Sequence, residues 1–195
     1  MKIKTIEALC KARGTIYLAD AEGVQWISDG VAVYPLYGMP RLDESNIFTM
    51  FDIPDEKRGK YMFDDSGRIA RTVNLSDNAD GERQVQQSDI LLYSGGCMLV
   101  PVKTSKGIVY INKRHLAPFS DSENGVVLYE RILPDGTVYI AVKTGFFLAG
   151  VIYPVNIVSK EFADELTDMA MSAVTDLHRC DESDSDNEQL AFPTE

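Results

Sequence analysis

The chain has 195 residues, of which 45% are hydrophobic and 25% charged, with a net charge of −11. That length suffices for one substantial core or for two small lobes sharing one. The acidic balance argues against a dedicated duplex-wrapping protein, whose affinity comes from clustered Lys and Arg neutralising phosphates. Three cysteines and two histidines form neither a CxxC pair nor a four-ligand cluster, so no disulfide framework, metal site or cofactor is expected. The longest apolar runs, such as FFLAGVIYPV from Phe146, are far shorter than a bilayer-spanning helix. Charges at Lys2, Lys4, Glu7 and Lys11 interrupt any signal-peptide core. A cytoplasmic protein without membrane association is expected.

In chain order, the first element is a helix with Ile3, Ile6, Leu9 and Cys10 on one face, basic residues in its last turn, and Gly14 placed as its C-cap. TIYLAD and VQWISD follow as a hairpin around Ala21-Glu22-Gly23, and GVAVYPL continues the sheet to Pro35. Asp43 is the expected N-cap of a short helix near 43–53, which Pro54 stops. Trp26 is expected in a small core beneath that helix. Residues 64–90 are polar and without apolar period, and read as a loop or linker between a hairpin-plus-helix lobe (1–63) and a β lobe (91–178). The segment GRIARTVNL within them has the composition of one strand. The β lobe contains six strand-like runs punctuated by SGG, TSKG, SENG and PDG turns. A terminal helix begins near Ser159, with Phe162, Leu166, Met169, Ala173 and Leu177 at helical spacing. The fold class is therefore α+β, a mostly antiparallel sheet with an N-terminal helix, a short helix near 43–53 and a C-terminal helix packed on the sheet. A disordered acidic tail is expected over 179–195.

No nucleophile–base pair or ligand cluster is evident, so no catalytic, cofactor-binding or metal-binding residue is assigned. Glu130 reads as an outward strand residue, and His115 in KRHL as a surface residue. One segment is locally basic: Lys103, Lys106, Lys113 and Arg114, with Tyr110 interleaved and no acid between Val100 and Ser120. Phosphate contacts plus a stacking aromatic make these candidate nucleic-acid contacts, against the alternative of a lysine-rich hairpin that resists edge pairing. In the acidic tail, Leu190, Ala191, Phe192 and Pro193 form a short apolar knot, and Leu190 and Phe192 are the candidate partner-binding residues.

The run GVQWISDGVAVYPLYGMPRLDESNIFTMFDI resembles the N-terminal region of uncharacterised proteins of Firmicutes prophages and integrative elements. The resemblance covers the first third of the chain and implies a phage or mobile-element origin, with no activity attached. The closing DGTVYIAVKTGFFLAGVIYPVN is similar in its strand pattern to the final strands of sliding clamps. The expected function is that of a non-enzymatic accessory or interaction protein acting through surface contacts and its tail on an unknown protein partner. The alternatives are a clamp-like DNA-metabolism factor and, less favoured, a small hydrolase or nucleotide-handling enzyme. If Lys103, Lys106, Lys113 and Arg114 contact nucleic acid, affinity falls steeply with added salt and charge reversal there flattens the slope, as a gel-shift titration against salt would read out.

Overall fold

A computed structural model describes residues 2–120, 125–156 and 159–187, with the backbone alone from 176 onward. The first helix, α1 (Ile3–Arg13), buries Ile6, Leu9 and Cys10, as its apolar spacing predicts. It ends on Gly14 at φ 63°, whose amide bonds back into the last turn. A Cβ there would stand 3.3 Å from the Lys60 carbonyl oxygen, so this position needs glycine for both conformation and space.

β1 (Thr15–Ala21) and β2 (Val24–Ser28) form the expected antiparallel hairpin, and β3 (Ala32–Pro35) lies on the other side of β2. α2 (Glu44–Met50) is capped by Asp43: its carboxylate accepts from the Asn46 amide at 2.9 Å, and the Asn46 side chain accepts from the Asp43 amide at 2.7 Å. After the single turn α3 (Asp55–Arg58), the short β4 (Met62–Asp64) pairs in parallel with β1. Residues 68–72, expected in a strand, instead form α4 (Arg68–Thr72). Then come β5 (Arg83–Gln87), β6 (Leu92–Ser94), β7 (Cys97–Thr104), β8 (Gly107–Asn112), a 3₁₀ segment at Lys113–Phe119, β9 (Val127–Ile132), β10 (Val138–Thr144) and β11 (Phe147–Ile152).

The strands make one 11-stranded sheet in the order β4-β1-β2-β3-β11-β10-β9-β5-β7-β6, with β8 on the free side of β7. All pairs except β1–β4 are antiparallel. The β3–β11 pairing, Val33 opposite Val151, joins the N-terminal strands directly to the last strand. Residues 1–155 are consequently one compact unit, and 64–90 lie inside it. β5 explains why: Arg83–Val85 pair with β9, while Gln86 and Gln87 pair with β7. The polar stretch thus contributes a strand to the middle of the sheet.

Alternation assigns the two faces. β10 is buried along both: Val138, Ile140 and Val142 join a core with Ile16, Ile27, Tyr34, Phe48 and Ile152, beneath α1 and α2. Tyr139 and Ala141 join a second core with Trp26, Val33, Leu148 and Val151. Trp26 is 1% exposed, so it is a core residue as expected, but on the face opposite α2. Its cover is Val73 and Leu75 from the segment after α4, with Ile69 packed alongside. The Trp26 indole donates to the Ala21 carbonyl at 3.3 Å.

Residues from 156 onward form a second unit built on α5 (Lys160–Asn187). No Gly or Pro interrupts that span, so the helix continues through 179–187, where composition predicts an unstructured tail. Met169, Met171 and Val174 on it are exposed. Leu190 and Phe192 lie outside the described residues. Among those described, no helix is long and apolar enough to cross a membrane.

Trp26→Ala removes the largest fully buried side chain and is expected to cost about 3–5 kcal/mol, measured by denaturant unfolding. Retention of full stability would show that the second core does not depend on it.

Candidate functional site

Three features stand apart from the ordinary core: a buried acid–imidazole pair, a buried cationic network, and an open aromatic groove.

The pair is Asp29 and His115, 0% and 4% exposed. Asp29 sits in the β2–β3 turn, and its Oδ1 accepts from the Val31 and Ala32 amides at 3.0 and 2.9 Å. Its Oδ2 meets His115 Nε2 at 2.9 Å. The 3₁₀ repeat explains the burial of a residue expected at the surface. His115 and Pro118, three apart, share one inward face, and Asn112 caps the segment through the Arg114 amide. The neighbouring Lys113 and Arg114 stay exposed. Burial pushes the Asp29 carboxyl up. The His115 bond and charge and the two amides outweigh that and hold it below the usual carboxylate range. Burial, with the Asp29 charge, pushes the Cys10 thiol up. An acid–base pair sealed from water has no route to a substrate, so this one serves the fold.

The network centres on Glu82, which accepts from Arg131 Nε at 2.9 Å and also binds Lys143 Nζ. Arg131, 3% exposed, further donates to the carbonyls of Asn74, Ser76 and Asp77 at 2.9–3.1 Å. Lys143 Nζ lies 4.7 Å from the Tyr129 ring centre. Together they fasten residues 74–82 to β9 and β10. Glu130, expected to be solvated, is 3% exposed, because its carboxylate accepts the Ser105 amide from the β7–β8 turn. Burial pushes the Glu82 carboxyl up, but the Lys143 and Arg131 bonds and charges hold it below its usual range.

The groove lies beside the β10–β11 turn, with a volume of about 520 Å³. Its floor includes Leu148 and Phe119, and Pro35, Tyr37 and Phe147 line it without any charged side chain. Gly145 at φ 60° makes the turn that projects Phe146 and Phe147. The lining is aromatic at its exposed edge: Phe147 and Tyr37 are 66% and 53% exposed, and Phe146 beside Phe147 in the turn is 86% exposed. Tyr37 is anchored by donating to the Leu148 carbonyl at 3.3 Å. Phe119 reaches the floor because residue 150 is glycine. A Cβ there would stand 2.6 Å from the Phe119 ring and 2.7 Å from the Val33 carbonyl oxygen.

The basic residues expected to act together are divided by the hairpin. Lys103 and Lys106 are exposed near its tip, and Lys113 and Arg114 lie past the far end of β8. The intervening strand separates the two pairs by roughly 20 Å at about 3.3 Å per residue. Tyr110 is half-buried opposite Pro101 on the same face as Lys103. The groove was not legible as a site in the sequence, where its aromatics read as strand residues. The available signal is Phe146-Phe147 following directly on the Gly145 turn.

Comparison of the chain with protein-family models, with curated proteins and with solved structures finds no match.

Glu82 stabilises the fold while ionised. Its folded value is depressed, so the contribution is present above the unfolded value near ~4.3 and is lost as pH falls through the folded value. Glu82→Gln is expected to cost about 3 kcal/mol at neutral pH, because Arg131 and Lys143 are left unneutralised. It should also flatten part of the acid limb of a Tm-against-pH curve. An unchanged acid limb would locate that pH dependence elsewhere.

Proposed function

We propose that this protein works non-enzymatically, as an interaction protein whose β10–β11 groove receives an apolar side chain of a partner polypeptide. The observation that carries the reading is the exposed aromatic pair Phe147 and Tyr37 lining an uncharged groove of about 520 Å³, with Phe146 exposed next to Phe147 in the chain. Large contiguous apolar surface is costly to leave in water and marks sites of association. Aromatic anchors beside an apolar pocket supply most of the energy at such sites. The rim is built on a tight hairpin turn and a strand end, so little ordering entropy is lost on binding. The uncharged lining matches an apolar side chain rather than a phosphate or carboxylate. The sealing of the Asp29–His115 pair supports the non-enzymatic part of the reading.

A photo-crosslinking residue at position 147 in the full chain, used in the native host, tests this. A captured protein should bind the purified wild-type chain and lose about tenfold or more in affinity to Phe146→Ser/Phe147→Ser. Both side chains are exposed, so the Tm of the double variant should hold. Equal binding of the captured protein by wild type and double variant would overturn the proposal, as would failure of any captured protein to bind in purified form.

A further inference from the structure

A second cavity, of about 290 Å³, lies between α4 and the first strands of the sheet. It is independent of the aromatic groove in position and in chemistry. Tyr17 from β1 and Tyr153, just past β11, contribute aromatic walls, and Val33 and Ile69 an apolar floor. Asp64 and Arg68 place opposite charges on one side.

The polar groups are only partly used by the fold. Asp64 accepts the Ser66 amide at 2.7 Å and a further hydrogen bond from the Ser66 hydroxyl, which still leaves lone pairs on its carboxylate for another donor. The hydrogen bonds from Ser66 and the charges of Arg68 and Arg71 keep the Asp64 carboxyl below its usual range, so it is ionised at neutral pH. Arg68 feels that charge, yet no hydrogen bond or ion pair within 4 Å holds its guanidinium among the described residues. Among the described residues the Tyr17 hydroxyl donates to the Met62 sulfur, at 2.9 Å, a weak acceptor that leaves the phenol oxygen able to accept.

Each ligand class meets a different fate here. A simple anion faces the Asp64 charge, and a simple cation faces Arg68. A wholly apolar molecule leaves both desolvated without a partner. A zwitterion satisfies both at once: its ammonium meets the carboxylate, its carboxylate meets the guanidinium fork, and its side chain covers the apolar floor. Few ligand-sized cavities are smaller than this one, so a single small molecule fits and a peptide does not. We propose that the cavity is a binding site for a free α-amino acid with an apolar or aromatic side chain.

Isothermal titration of the full chain with L-phenylalanine, phenethylamine and 3-phenylpropanoate tests this, because the last two each keep one charge. L-phenylalanine should bind about tenfold or more tightly than either analogue, since each lost charged hydrogen bond removes at least that factor. In Arg68→Gln the advantage over phenethylamine should vanish, and in Asp64→Asn the advantage over 3-phenylpropanoate should vanish. Asp64 is half-buried and Arg68 exposed, and Tm would confirm that each variant is folded. Absence of binding by all three probes would overturn the proposal. So would an analogue that binds as tightly as L-phenylalanine to the wild type, or an advantage that persists in both variants.

Discussion

The unit formed by residues 1–155 depends on the Asp29 carboxylate more than on any other single group. One of its oxygens shapes the β2–β3 turn through the Val31 and Ala32 amides, and the other holds His115. The Asp29 carbonyl accepts from Arg13 at 3.0 Å, which brings in the end of α1. The His115 carbonyl in turn accepts the Tyr34 hydroxyl at 3.3 Å, and Tyr34 packs on Phe119 with ring centres 5.5 Å apart. Three chain segments, the end of α1, residues 29–34 and the 3₁₀ segment, therefore meet around one buried charge. A buried carboxylate is tolerable only when so fully partnered, and that requirement holds His115 of the 3₁₀ segment against the β2–β3 turn.

Phe119 links this arrangement to the groove. Its position follows from the 3₁₀ segment, and its ring reaches the groove floor only because Gly150 leaves space for it. The aromatic rim is consequently attached to a rigid base, although Phe146 and Phe147 themselves stand in solvent. A surface of that kind presents an anchor point at low entropic cost, which is the physical basis for assigning it a partner.

On the opposite face, the polar segment between β4 and β5 acts as a structural cover. Val73 and Leu75 close over Trp26, and the Arg131–Glu82–Lys143 network fastens the chain that follows. α4 belongs to the same cover, and the cavity with Asp64 and Arg68 opens beneath it. Covering the Trp26 face with a short helix and a loop, in place of a long helix, is what leaves room there.

Local signals in the sequence determined a good part of the fold. The apolar face and Gly14 cap of α1, the Asp43 cap of α2, the Glu22-Gly23 and Asp135-Gly136 turns and the β-rich second half are all interactions between residues close in the chain. Such interactions can be read from spacing and propensity alone. Long-range pairing decided the rest. Whether residues 64–90 link two bodies or enter one sheet depends on β5 finding β7 and β9, and nothing in SDNADGERQVQQS encodes that. Glu130 and His115 are polar residues in polar surroundings along the chain, and became buried because their partners, Ser105 and Asp29, lie 25 and 86 residues away. The two candidate sites were hidden for the same reason. Tyr37 and Phe147 meet across 110 residues, as do Tyr17 and Tyr153 across 136, and a cavity exists only once the elements that wall it have packed.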